Sequence, residues 1–280
     1  DDGWIAPDDA YAGQMAERDR LLHARADAVH ALWPDGHDAA AELYARVLGK
    51  LSGMPGFRIG TDQVKRPDGV AVPLDPEAPL LTLGRLVQQD LCLMQAQGDE
   101  HVLAGAILCF PASWTLAQKM GRNMIGIHQP VDRYDESIAK RVNRVMDVLQ
   151  HGNAVWRANV LCYNDPELHQ PRLEHERRPF DPEGPVYVRV ERQALIVIAF
   201  VIREPSLRSA TSGATGPASR SNAACARASP IGGVMWSAVI VMPGGSRGSR
   251  TAWRRAFPSS GGDRPAGSPL APPCLRPGRS

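Results

Sequence analysis

The length and cysteine content of the chain are those of a protein that builds its core without covalent cross-links. At 280 residues it can form one large domain or two small ones, and a domain of this order buries roughly 70–75% of its unfolded surface. Its five cysteines are odd in number, widely spaced and lack a CxxC pair, which excludes the patterns of a disulfide framework and a zinc knuckle. We therefore expect a cytoplasmic protein.

Membrane insertion is also not indicated. The first residues carry no basic and apolar leader, and no stretch approaches the roughly 18 apolar residues that span a bilayer. A soluble, untargeted protein is expected.

The net charge of +2 is the sum of two segments with opposite net charge. Residues 203–280 contain 11 arginines, no lysine and two acidic residues, so they carry +9 and residues 1–202 carry −7. In this tail 57 of 78 residues are Ser, Gly, Pro, Ala or Arg, and an apolar run survives only near Val234 to Met242. Such a composition offers too little apolar surface to offset the entropy of ordering. We predict a domain over 1–202 and a disordered tail over 203–280, produced by a reading-frame change between Ala194 and Arg203.

Two helices are predicted at the start of the chain. Apolar residues recur at helical spacing from Ala10 to Leu32, and again from Ala40 to Leu51. Residues 56–85 are rich in Pro, Gly and Asp and are expected to form loop and short irregular structure.

After residue 85 the period changes to that of strands. Leu91 and Leu93, then the run from Val102 to Phe110, predict a hairpin closed by the turn at 97–100. A short helical stretch ends at Gly121, and a longer helix follows a cap at Asp135. Two further strands are predicted at 156–163 and 186–192. Helices at one end and antiparallel strands in the middle predict an α+β fold.

Histidines are the first candidates for chemistry, and all eight precede residue 176. Those at 23, 30, 37 and 101 fit solvated or interface roles, and His151 fits a helix C-terminal cap. The group His169, Glu174, His175 and Glu176 matches no zinc spacing.

His128 stands out because apolar residues flank it. Ile125 and Ile127 before it and Pro130 after it predict an extended, partly buried backbone, which could hold the imidazole against a planar cofactor. The plainer alternative is a histidine satisfied by backbone hydrogen bonds. Arg189 and Arg192 have two interpretations as well: a solvated strand face, or bidentate donors to carboxylates.

Several common functions are disfavoured by the motifs. Neither GxGxxG nor GxxxxGK[ST] occurs, which argues against the common nucleotide-binding folds. The GxSxG match at residues 244–248 has no histidine downstream and is not followed by a helical pattern. The basic tail has three aromatic residues, so no specific nucleic-acid binding is expected.

Several segments together resemble one family, the haem-binding α subunit of haem-dependent oxidative N-demethylases and its uncharacterised relatives. The likeness covers roughly residues 1–200. The segments are 86–94 (LVQQDLCLM), 110–114 (FPASW), 119–122 (KMGR), 127–131 (IHQPV) and 188–193 (VRVERQ), with 155–159 (VWRAN) and 165–168 (DPEL) between them. The C-terminal helical part that the family leads us to expect has no counterpart after Ile202.

The resemblance implies a PAS-like antiparallel sheet with N-terminal and flanking helices, holding haem b through one histidine. It implies oxidation of a small, dimethylamine-like secondary amine to the shorter amine and formaldehyde. Electrons would come from a separate NADPH-dependent flavin and iron–sulfur reductase subunit. By this resemblance His128 is the expected axial ligand, His169 the alternative, and Arg189 and Arg192 are the expected propionate partners.

Two other functions remain open at this level. A PAS-like fold also serves non-catalytic haem or small-ligand sensors, and fold does not determine function. The altered C-terminus could also leave an inactive truncated product with exposed sheet edges.

Overall fold

The computed structural model of the protein describes residues 3–131, 133–198 and 235–242. The helices are α1 (Tyr11–Val29), α2 (His37–Leu51), α3 (Pro79–Gly84), α4 (Leu116–Lys119), α5 (Met124–His128) and α6 (Glu136–Val148). The strands are β1 (His30–Leu32), β2 (Arg58–Ile59), β3 (Gln63–Lys65), β4 (Ala71–Pro73), β5 (Asp90–Gln97), β6 (Glu100–Ile107), β7 (Ala154–Tyr163), β8 (Tyr187–Val197) and β9 (Met235–Met242). The α+β class predicted from the sequence is confirmed.

A six-stranded sheet organises these elements in the order β1-β6-β5-β9-β8-β7. The β5–β6 hairpin and the β7–β8 pair are antiparallel, as alternating apolar residues predicted. Strand β9 runs parallel to both of its neighbours, β5 and β8. The sheet is therefore mixed, and its two antiparallel halves are joined through β9.

Strand β9 comes from the segment predicted to be a disordered tail. It contains the apolar run noted in the sequence, and Ile240 pairs with Leu93 on one side and Ile196 on the other. An apolar run that contains β-branched residues can complete a sheet whose adjacent strands leave backbone groups unpaired. The remainder of the tail lies outside the described residues, so its predicted disorder stays a prediction.

Apolar cores cover both faces of this sheet. Alternate residues of β5 belong to different cores: Leu91 and Leu93 pack with α1, α2 and α3, while Cys92 and Met94 pack with α4, α5 and α6. Successive side chains of a strand point to opposite faces, which explains the division. Helices thus flank the sheet on both sides.

Three local predictions need correction. The first helix ends at Val29, and residues 30–32 form β1 against β6. Residues 56–85 contain a small three-stranded antiparallel sheet and α3 rather than only irregular structure. His128 lies in α5 rather than in an extended segment. In each case the strand partners or the helix cap, rather than the local composition, determined the secondary structure.

Among the described residues, no helix combines the length and the apolar character needed to cross a membrane.

Candidate functional site

A cavity of about 210 Å³ lies between the chain around α4 and the irregular segment that precedes β8. Pro130, two residues after His128, also contributes to its wall. The lining residues are Ser113, Trp114, Lys119, Pro130, Arg172, Leu173, Glu174, Glu176 and Arg177. Charged side chains therefore dominate this cavity, and Trp114 supplies its aromatic surface.

The strongest electrostatic feature of the cavity is a carboxylate shared by two cations. Lys119 Nζ lies 2.6 Å from Glu174 Oε1, and Arg122 Nη1 lies 2.7 Å from the same oxygen. The Lys119 side chain is only 2% exposed, whereas that of Glu174 is 25% exposed. The hydrogen bond from Lys119, helped by Arg122, lowers the pKa of Glu174 below its ordinary value. Glu174 is therefore held as a carboxylate.

A tight turn after α4 brings the two cations together. Gly121 adopts φ of 72°, which glycine tolerates without a steric penalty. A Cβ at this position would lie 2.0 Å from the ring of Trp33. The chain then enters α5, where the side chain of Asn123 accepts a hydrogen bond from the backbone N–H of Gly126. This is an N-cap, and it explains why helix begins here.

His128 closes α5, and its ring is fixed from two sides. Its Nδ1 lies 2.9 Å from the carbonyl oxygen of Met124, and the ring stacks on Tyr134 with centroids 4.1 Å apart and planes 12° apart. Burial lowers the pKa of His128, the hydrogen bond with the Met124 carbonyl partly opposes this shift, and the charges of Arg157 and Lys119 lower the pKa further. The imidazole is therefore neutral near pH 7.

The backbone at His128 differs from the prediction. A residue that precedes proline ordinarily avoids the helical region, yet Gln129, which precedes Pro130, has a helical φ of −48° and ψ of −36°. The Asn123 cap initiates a helical turn. This turn extends through Gln129 despite that ordinary preference.

His169 lies on the irregular segment that also carries Glu174. Its Nδ1 is 2.8 Å from the carbonyl oxygen of Cys109. The backbone N–H groups of Cys109 and Phe110 donate to the carboxylate of Asp90, which in turn pairs with the fully buried Arg18 at 2.6 Å. A buried ion pair between β5 and α1 thus fixes the carbonyl that orients His169.

The structure does not bring Arg189 and Arg192 together. They are three residues apart on β8, whose register with β7 is continuous, so their side chains leave opposite faces of the strand. Arg189 donates to the carbonyl oxygens of Phe110 and Leu168. The guanidinium of Arg192 lies 4.0 Å from the ring centroid of Trp156. Any carboxylate ligand would meet the two arginines from different sides.

The site residues that sequence reasoning missed are Lys119, Arg122 and Arg172. Lys119 and Arg122 were noted only within a family-like segment, and Glu174 only within a possible metal cluster. Since 55 residues separate Lys119 from Glu174, no local spacing signals their pairing. Across the described ranges, no group of three or more His, Cys, Asp or Glu side chains converges to hold a metal ion.

Comparison with known proteins identifies the family of the chain. The model of the family described as haem-dependent oxidative N-demethylase, alpha subunit-like, matches residues 1–198. This match spans α1 to β8 and includes both histidines and the cavity. No curated protein matches the chain. Because the family model covers well over half of its length, the chain belongs to the haem-dependent oxidative N-demethylase alpha subunit-like family.

Proposed function

We propose that this chain is the haem-bearing subunit of an oxidative N-demethylase acting on a small, dimethylamine-like secondary amine. The family match over residues 1–198 supports the activity class. The observation that carries the proposal is the state of His128, a neutral imidazole whose Nδ1 is held by a backbone carbonyl. Its ligand is haem b in this proposal, with His128 as the axial ligand and His169 as the alternative.

The donor chemistry of both histidines fits a single axial ligand. A neutral imidazole that donates Nδ1–H to a carbonyl oxygen carries its lone pair on Nε2, and metal-binding histidines commonly have such a partner. Neither Nε2 atom has a partner among the described residues that would occupy this lone pair. Haem-binding histidines need no second protein ligand.

The size of the cavity sets a condition on this proposal. At about 210 Å³ it lies below the roughly 300–1,000 Å³ of sites that enclose small organic ligands and cofactors. A porphyrin therefore requires an outward shift of the irregular segment that carries Glu174. Five of the nine lining residues lie on this segment, namely Arg172, Leu173, Glu174, Glu176 and Arg177.

When bound, haem would supply the oxygen and redox chemistry that amino-acid side chains lack. The chain's own residues would hold and orient the group. The Met124 carbonyl and the Tyr134 ring would fix the His128 plane. Arg189 or Arg192 would be a propionate partner, because the two side chains leave opposite faces of β8 and one haem can reach only one of them. Replacing both without loss of haem affinity would remove them from the site.

The overall reaction requires an electron donor. Conversion of a secondary amine and dioxygen to the shorter amine, formaldehyde and water consumes two electrons and two protons. We propose a separate NADPH-dependent flavin and iron–sulfur reductase subunit as their source. The alpha-subunit-like description of the family supports a multi-subunit enzyme.

The finer structural expectations belong to the same proposal. The PAS-like arrangement stays a proposal, and the sheet departs from the expected antiparallel form because β9 runs parallel to β5 and β8. The end of the family match at residue 198 supports a reading-frame change near residue 202, whereas β9 argues against a domain that ends there, because residues 235–242 pair with β5 and β8. A cytoplasmic location rests on the cysteine pattern.

Haemin titration of the full-length protein, followed by visible absorption, tests the proposal. The wild type should give a saturable Soret shift, and His128→Ala should weaken it while the far-UV circular dichroism is retained. The matched control is His23→Ala, since His23 is exposed on α1. Loss of the shift in His169→Ala instead would move the ligand to His169.

Amine turnover separates the enzyme from a sensor. With haem bound, a reductase of the stated class and NADPH, the enzyme should release formaldehyde from dimethylamine. Haem binding without turnover would support the sensor. A folded wild-type protein with no saturable Soret shift would exclude both haem functions.

A further inference from the structure

The ammonium group of Lys119 is buried in the cavity wall, and its counter-ion comes from a more exposed element. Lys119 is 2% exposed and Glu174 is 25% exposed. Removing an ammonium group from water is costly unless an anion compensates it. Glu174 lies in the stretch between β7 and β8, where the residues around it form turns and irregular structure. The fixed part of the pair is therefore the cation, and the carboxylate is the more replaceable partner.

Arg172 adds a further cation to the cavity lining. Its guanidinium makes no hydrogen bond or ion pair with any described residue, although the residue is only partly exposed. Arg177 instead donates to the backbone carbonyls of Glu174 and Glu176. Arg172 therefore offers the planar, bidentate donor geometry that suits a carboxylate.

Trp114 provides aromatic surface in the cavity lining, next to a residue with an unusual backbone conformation. Ser113 has φ of +64°, which is uncommon for a residue other than glycine. Its backbone N–H donates to the carbonyl oxygen of Gln170 at 3.1 Å, which holds this conformation. Trp114, the next residue, lines the cavity. An aromatic wall next to cations suits a carboxylate attached to a planar apolar body.

We propose that Lys119 and Arg122, with Arg172 beside them, form a binding site for a ligand carboxylate, and that Glu174 occupies this site until the ligand displaces it. The chemical class is a carboxylate on a planar, apolar body. Two sources fit: a haem propionate, which rests on the proposed function, or a free aromatic carboxylate. The exchange replaces one carboxylate by another, so Lys119 keeps a counter-ion.

Glu174→Gln distinguishes this site from a structural ion pair. Glutamine keeps the shape of the side chain but removes its charge, so an incoming carboxylate meets two uncompensated cations. Hydrogen bonds to charged groups are stronger than those between neutral groups, so ligand carboxylates should bind about tenfold more tightly or better. Arg172→Gln should weaken their binding without disturbing the fold, because the Arg172 guanidinium has no described partner to lose.

The experiment compares haemin with haemin dimethyl ester, which lacks both carboxylates, by Soret titration of the full-length protein. Benzoate is titrated in parallel by calorimetry. Haemin should bind more tightly to Glu174→Gln and more weakly to Arg172→Gln, while the ester should bind all variants equally. Glu183→Gln is the matched control, because Glu183 is exposed on the same connecting stretch and lies outside the cavity lining. It should leave every affinity unchanged.

Each outcome decides the inference separately from the proposed function. If haemin binds through His128 but Glu174→Gln fails to tighten it, the carboxylate site is refuted and the haem proposal stands. If haemin does not bind, the haem proposal fails, and tighter benzoate binding to Glu174→Gln identifies a free carboxylate as the ligand. If neither haemin nor benzoate binds, both are refuted.

Discussion

Replacing Ile240 by alanine tests whether strand β9 stabilises the sheet of this protein. Ile240 is fully buried, and it packs in the same core as Leu93, Ala194 and Ile196. Its backbone register places it between Leu93 of β5 and Ile196 of β8. Truncation of this side chain therefore opens a cavity where the two halves of the sheet meet.

The expected cost follows from the size of that cavity. Truncation of a fully buried isoleucine to alanine costs about 2–5 kcal/mol, the transfer free energy of the lost methylene and methyl groups plus the cavity left behind. With a urea dependence of about 1–3 kcal/mol per molar, the unfolding midpoint should fall by on the order of 1–2 M.

Urea unfolding of the full-length protein, followed by tryptophan fluorescence and circular dichroism, measures this change. The matched control is Val160→Ala on β7, since Val160 is 65% exposed in the same sheet; its effect should stay within about 0.5 kcal/mol. If Ile240→Ala changes the midpoint no more than Val160→Ala does, β9 contributes nothing to stability, and the sheet assignment is wrong.

Two further predictions concern the turn before α5 and the half-buried carboxyl group of Glu42. Gly121→Ala should lower the free energy of unfolding by roughly 1–3 kcal/mol more than Gly152→Ala does, because both glycines have positive φ but only Gly121 lies against Trp33; equal urea midpoints would exclude this clash. Burial raises the pKa of Glu42 to about 7 from an ordinary 4.5, so between these pH values the folded state holds a proton that the unfolded state has lost, and stability falls as the pH rises. Glu42→Gln should therefore gain stability over the wild type from pH 5 to pH 7 in urea unfolding, and a pH-independent difference would contradict the prediction.

Much of the fold is predictable because its signals are local. The apolar spacing of α1 and α2, the Asp135 cap of α6 and the alternation in β5, β6 and β8 all act within a few residues. The structure bears out each of these elements, with the boundary of α1 changed by three residues. His128 was also singled out from its neighbours alone, although its helical backbone was not.

The arrangement of the candidate site could not be predicted in this way, because its residues pair across long stretches of sequence. An ion pair such as Lys119 with Glu174 forms between segments 55 residues apart, and neither residue signals the other in the sequence. Asp90 and Arg18, which fix the carbonyl that His169 binds, are 72 residues apart. Their roles depend on the path of the backbone between them.

The sequence by itself determined the α+β class, the family resemblance and the candidate histidines, because residue periodicity, caps and motifs are properties of short segments. Only the tertiary structure decided that residues 235–242 enter the sheet between β5 and β8. It alone also separated Arg189 from Arg192 and paired Lys119 with Glu174. Strand neighbours and buried charge pairs are selected by the burial and hydrogen bonding of the whole chain, which no single segment encodes.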